Sequence, residues 1–111
     1  MQWIHLTDEE QLRQLISKSA STPQVIFKHS TRCSISSVAF QRLQKAQQPG
    51  GIDFYYLDLL AHRPLSAKVS ETFKVHHESP QILVIRDGQC IYDESHLAIS
   101  MMDIVESAKV A

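Results

Sequence analysis

QVIFKHSTRCSISSVAFQRLQKA, residues Gln24 to Ala46, carries the sharpest local signals in the chain. Gln24 to Lys28 is a short apolar run rich in β-formers, consistent with a buried strand. His29-Ser30-Thr31-Arg32 reads as a loop. From Cys33 onward, Ile35, Val38, Ala39, Arg42, Leu43 and Ala46 fall on one helical stripe, and Pro49-Gly50-Gly51 stops the helix. The chain here runs strand, tight loop, helix, with a cysteine at the helix start.

Upstream, Met1 to Leu6 is expected to form a short first strand. Thr7-Asp8-Glu9-Glu10 reads as a capping box with Thr7 as N-cap and Glu10 as its acidic partner. The helix behind it sets Leu12, Leu15 and Ile16 on one face and ends at Ser21-Thr22-Pro23. Downstream, Ile52 to Leu59 is a strand with an aromatic centre. Pro64 suits the first turn of a helix that carries Leu65, Val69 and Phe73 on one stripe. Gln81 to Ile85 is another buried-type strand, and Asp87-Gly88 is a strong two-residue hairpin signal. Cys90 to Glu94 is the returning strand, and Ser100 to Lys109 the final helix. The order over residues 1–111, taken as a single domain, is β-α-β-α-β-α-β-β-α. Helical crossovers predict parallel neighbours, and the hairpin adds antiparallel strands at one side. That predicts an α/β, thioredoxin-like fold, a mixed central sheet with helices on both faces.

Composition narrows the function. With 111 residues and a formal net charge of -1, the chain has no basic stripe to follow a phosphate backbone, so nucleic acid is not an expected partner. No apolar run approaches the roughly 20 residues that span a bilayer, and Met1 to Thr7 lacks a secretory pattern. No membrane association and a cytoplasmic location are expected. Two cysteines, Cys33 and Cys90, are too few for a disulfide scaffold. There is no CxxC and no zinc-type Cys/His spacing. His76-His77-Glu78 lacks further ligands at suitable spacing and is read as a solvated loop, so no metal site is expected.

Cys33 is the expected chemical centre. The first turn of a helix offers unpaired N–H groups and a partial positive charge, and both favour a thiolate over a thiol. Arg32 is adjacent, Lys28 and His29 lie just before it, and no acidic residue occurs from Gln24 to Arg42. This basic flank is expected to make Cys33 a nucleophile for disulfide exchange. Ser36 stands where a CxxC protein has its second cysteine. It cannot close a disulfide, but across one helical turn it could donate to the Cys33 sulfur, or it could simply be a polar first-turn residue. Cys90, in a strand of alternating pattern, reads as packing, although it is the one internal alternative for resolving a mixed disulfide. Asp58 is read as capping the loop that follows it. Ser79-Pro80 marks a strand start, and its peptide bond, if cis, would let the Ser79 backbone face Cys33.

Trp3, Phe27 to Ser36 (FKHSTRCSIS), Tyr55 to Ser66 (YYLDLLAHRPLS), His77 to Gln81 (HESPQ) and Ser95-His96 together span nearly the whole chain. In these stretches it resembles the monothiol bacilliredoxin family, the bacillithiol-system redox-active proteins of thioredoxin-like fold. The resemblance implies that Cys33 attacks a mixed disulfide between a low-molecular-weight thiol and a client protein. It implies that Pro80 is a cis-proline, and that His77, Glu78, Ser79 and Gln81 lie beside the reactive sulfur. The family usually has proline directly after the cysteine. Ser34 stands there instead and restores an N–H donor to the first turn.

The expected function is that of a monothiol thiol–disulfide oxidoreductase acting on S-thiolated client proteins. Its co-substrate is a small thiol, bacillithiol or an analogue, with no tightly bound cofactor, and the chain is expected to be a monomer. Lys28, His29, Arg32, Ser34, Ser36, His77, Glu78, Ser79, Pro80 and Gln81 are the expected thiolate-stabilising or substrate-binding residues around Cys33. Two other readings stand beside it. One is a sensor or binding module thiolated at Cys33 without turnover. The other is a dimer that holds an iron–sulfur cluster through Cys33 and an external thiol, as monothiol glutaredoxins do.

Overall fold

The strand β2 (Gln24–His29) is buried at every residue, as a central strand covered on both faces must be. Around it a computed structural model places β1 (Ile4–His5), α1 (Glu9–Lys18), α2 (Ser34–Lys45), β3 (Asp53–Asp58), α3 (Arg63–Phe73), β4 (Gln81–Arg86), β5 (Gln89–Ser95) and α4 (Met101–Ala108), with a 3-10 turn at His96–Ala98. The structure describes residues 1–109; the last two residues of the expected domain, 110 and 111, lie outside the described residues. The sheet order is β1-β3-β2-β4-β5. No helix among the described residues is long and apolar enough to cross a membrane.

Strand alternation sorts the core into two layers. Val25, Phe27, Ile82 and Val84 face one side, where they pack with Ala39 and Leu43 of α2 and Ile104 and Ala108 of α4. Ile26, Leu83 and Ile85 face the other, against Leu12 and Leu15 of α1 and Leu65, Val69 and Phe73 of α3. The expected α/β arrangement with helices on both faces is the observed one.

Three local expectations need correction. Asp8, not Thr7, is the N-cap of α1: its carboxylate accepts the Gln11 N–H at 2.8 Å. The Gln11 side-chain oxygen accepts the N–H of Thr7, one residue before the cap, so the return bond of a capping box falls outside the cap itself. The first strand shrinks to Ile4–His5, whose side chains are exposed, so little burial extends it. The crossover from β3 to β4 does not give a parallel neighbour. β2 pairs with β3 in parallel but with β4 antiparallel. An 11-residue α3 followed by the stretch from Lys74 to Pro80 lets the chain return to the sheet end it left. The hairpin forms as expected: Asp87 and Gly88 both have positive φ, 51° and 74°, as a type I′ turn requires.

Candidate active site

Parallel β2 and β3 end where antiparallel β4 begins and β5 finishes. His29 lies beside Asp58, Lys28 beside Gln81, and Gln81 beside Ser95. One end of the sheet thus gathers the loop to Cys33, the segment from His77 to Gln81, and the turn after Ser95. Cys33 is the N-cap of α2, extended at φ -108° and ψ 123°, and partly exposed. Its carbonyl accepts the Ser37 N–H, while its side chain makes no capping hydrogen bond. A sulfur at this position lies at the positive end of the helix, whose first-turn N–H groups have no intrahelical partner, and remains open to a partner. Arg32 and Ser34 flank it, both exposed to solvent.

Among the described residues Ser36 makes no hydrogen bond to Cys33. It is fully buried, and its Oγ accepts the Ser30 N–H at 3.0 Å and lies 2.6 Å from His29 Nδ1. The hydroxyl pins the end of β2 to the first turn of α2, and so fixes the loop that presents Cys33. Ser36→Ala leaves the Ser30 N–H without that acceptor, and we expect a loss of about 1–2 kcal/mol in urea unfolding followed by Trp3 fluorescence. A change below a few tenths of that range contradicts the pinning role.

The expected basic flank is also smaller than its sequence. His29 is buried, stacked on Phe40 at 5.1 Å and Phe27 at 5.6 Å and tilted on Tyr56 at 5.5 Å. Burial pushes its pKa down, only partly countered by Asp58, which favours the neutral ring. Lys28 alternates to the other side of the sheet from α2. Its Nζ donates to Ser70 Oγ at 2.7 Å and to His77 Nδ1 at 3.3 Å. Residue by residue, Arg32 is the one exposed cation of the three, and the helix terminus is the other source of positive potential. Ser70 had no signal in the sequence: it is 42 positions from Lys28, and α3 brings it there.

The segment from His77 to Gln81 is braced from below. Gln81 is buried and donates to the His76 carbonyl at 3.0 Å, while its Oε1 accepts the Glu78 N–H at 3.4 Å. Glu78 pairs with His96 at 3.5 Å, and the His96 N–H donates to the Pro80 carbonyl. The Ser79–Pro80 peptide bond is cis. Asp58 caps its loop as expected, accepting from the N–H groups of Leu60 and Ala61. Among the described residues no group of three or more His, Cys, Asp or Glu is placed to hold a metal.

Cys90 lies far from this end. It pairs with Ile85, which pairs with Gln24 at the opposite end of β2. The length of β2, on the order of 17 Å at about 3.3 Å per residue, separates that end from the Cys33 loop. A disulfide needs Cα atoms within about 7 Å. Burial pushes the Cys90 thiol up to about 11, and its Sγ contacts the Tyr92 carbonyl at 3.3 Å. Cys90 is a packing residue against the α1–α3 core.

A mixed sheet with a lone, accessible cysteine at a helix start and a cis-proline strand at the same end defines a thioredoxin-fold protein with a redox function. Residues 4–104 match the family model described as monothiol bacilliredoxin BrxC, and the chain belongs to that family. Among solved structures, one described as having a thioredoxin fold is 28% identical, with a TM-score of 0.82 over 94% of this chain and 91% of that one. Fasciola hepatica thioredoxin is 19% identical at TM-score 0.74, covering 93% and 97% of the two chains. Mitochondrial thioredoxin 3 from Saccharomyces cerevisiae is 18% identical at TM-score 0.74, covering 98% and 95%. These two share the fold.

Proposed function

We propose that the chain is a monothiol thiol–disulfide oxidoreductase that removes a low-molecular-weight thiol, bacillithiol or an analogue, from S-thiolated client proteins. The observation that carries this reading is the placement of Cys33: an open sulfur at the N-terminus of α2, with serine at position 36 and the other cysteine at the far end of the sheet. In the first step the Cys33 thiolate attacks the small-thiol sulfur of the mixed disulfide. That S–S bond breaks, the client leaves as its thiolate, and a Cys33–small-thiol disulfide forms. A second molecule of small thiol then attacks the carried sulfur. It releases the oxidised small-thiol dimer and restores the Cys33 thiolate. No electrons come from Cys90.

The braced segment from His77 to Gln81 forms the wall against which the mixed disulfide docks in this proposal, and Arg32 and Ser34 border it. A monomer in a reducing compartment such as the cytoplasm suits this chemistry, since the regenerating thiol must be abundant there. The test is a client carrying a disulfide-linked small thiol, incubated with catalytic protein and excess small thiol. Several clients released per protein, together with a Cys33 adduct of the small-thiol mass, support the proposal. A single stoichiometric transfer without turnover favours the sensor reading instead. An iron-containing, coloured protein after anaerobic purification favours the cluster-bearing dimer. In the same assay Cys90→Ala is expected to turn over within about twofold of the parent, because the Cys90 thiol is spatially remote. A bridge between Cys33 and Cys90 in the mass spectrum contradicts that expectation.

A further inference from the structure

A cavity of about 370 Å³ opens beside α3, lined by Leu59, Arg63, Ser66, Ala67, Ser70 and His77. Its volume falls in the lower part of the range of small-molecule clefts, ~300–1,000 Å³. None of its six lining residues is acidic. Leu59 follows Asp58, the partner of His29 in the sheet, so the cavity lies at the sheet end from which the Cys33 loop departs.

Lys28 decides the polarity of this wall. It is fully buried, and an ammonium has three protons to donate and no lone pair to accept with. Ser70 and His77 therefore turn acceptors toward it, the Ser70 oxygen and the His77 Nδ1. The Ser70 O–H and the His77 Nε2–H remain as donors for anything else these residues meet. Arg63 adds guanidinium donors and is in no ion pair among the described residues. Ser66 is 4% exposed, and its Oγ is buried without a partner. A cation behind the wall, donors along it and no carboxylate within it form a surface complementary to an anion. Lys28 does not itself reach the cavity; it acts through Ser70 and His77.

We propose that this cavity binds a small carboxylate, held by Arg63, Ser70 and His77 with the Lys28 charge set behind them. Two sources share that chemistry: a small thiol that carries a carboxylate and reacts at Cys33, and a free organic acid. The first rests on the oxidoreductase reading; carboxylate binding as such does not.

The test separates them. Cys33→Ser protein, which cannot form a disulfide at that position, is titrated at pH 7 with succinate and followed by amide NMR shifts. We expect saturable shifts at Ser66, Ser70 and His77, absent with the uncharged diamide of the same skeleton. Affinity should fall about tenfold in Arg63→Gln, the loss of one charge-assisted contact, and should also fall in Lys28→Met, which removes the charge behind Ser70 and His77. Arg63 is exposed, so its variant keeps the fold intact if Lys28→Met disturbs it. No saturable shift into the tens of millimolar, equal shifts with the diamide, or unchanged affinity in Arg63→Gln overturns the proposal. The source follows from the parent protein with a carboxylate-bearing mixed disulfide and its methyl ester. A KM about tenfold higher for the ester, with kcat kept, assigns the site to the small thiol. Equal KM values with succinate binding intact assign it to a free acid.

Discussion

Cys33→Ser protein will release client from a mixed disulfide no faster than small thiol alone does. In the proposed reaction the substitution removes the group that carries the transferred sulfur, since a hydroxyl in the same place has neither the acidity nor the nucleophilicity of a thiol. Ser36 offers no detour, because its oxygen is committed to Ser30 and His29. Cys90 offers none either: burial raises its pKa, and it lies a strand length away. Stability is not expected to change much: the Cys33 side chain makes no capping hydrogen bond, and serine is itself a good N-cap. The measurement is therefore paired. Turnover of an S-thiolated client falls to background while urea unfolding shifts by about 1 kcal/mol or less, in the stabilising direction if the new hydroxyl caps α2. Residual turnover within tenfold of the parent would place the chemistry elsewhere.

Lys28→Met is expected to make the protein more stable at pH 7, by ~1–3 kcal/mol. The ammonium of Lys28 is shut away from water, and burial lowers its pKa from 10.5 to about 8. The folded state thus holds this proton less tightly than the unfolded chain does. Below about pH 8 both states are charged and the fold bears the whole cost of desolvating the cation, roughly 3 kcal/mol. Between about 8 and 10.5 the folded state releases the proton while the unfolded chain keeps it, so the cost is relieved as pH rises. The gap between Lys28→Met and the parent should therefore be widest near pH 7 and shrink as pH is raised toward 10. Taking the difference between the two proteins removes the tyrosines, whose raised pKa values act in the opposite sense in the same range. Urea midpoints by Trp3 fluorescence, at several pH values, provide the curve. A gap that stays constant with pH, or a variant less stable than the parent at pH 7, contradicts the account. The same cation turns the donors of Ser70 and His77 outward, so the stability gained in the variant is expected to accompany weaker carboxylate binding.

Much of the architecture was legible because it is encoded in short stretches. Apolar runs at Gln24 and Gln81, the stripe from Ile35 to Leu43 and the Asp87-Gly88 turn each specify their element through neighbours a few residues away. Cys33 was legible for the same reason. Its position relative to a helix start is a matter of three or four residues. The misreadings have one physical source. Thr7 and Asp8 both suit an N-cap, and the geometry of the preceding chain selects between them. β4 runs antiparallel because the stretch after α3 carries the chain back, a matter of where the sheet is re-joined rather than of the helix before it.

The site divides along the same line. The sequence by itself determined that a single cysteine opens a helix after a buried strand, and that no second thiol stands one turn away. Those are covalent and local facts. Only the tertiary structure decided what surrounds that cysteine. Strand alternation sends His29 and Lys28 to opposite faces of the sheet, so a run of basic letters does not become a basic patch. Ser36 turns inward to the end of β2, and Ser70 and His77, 42 and 49 positions from Lys28, become its partners. Contacts at such separations depend on how helices pack on the sheet, which no local pattern of residues specifies.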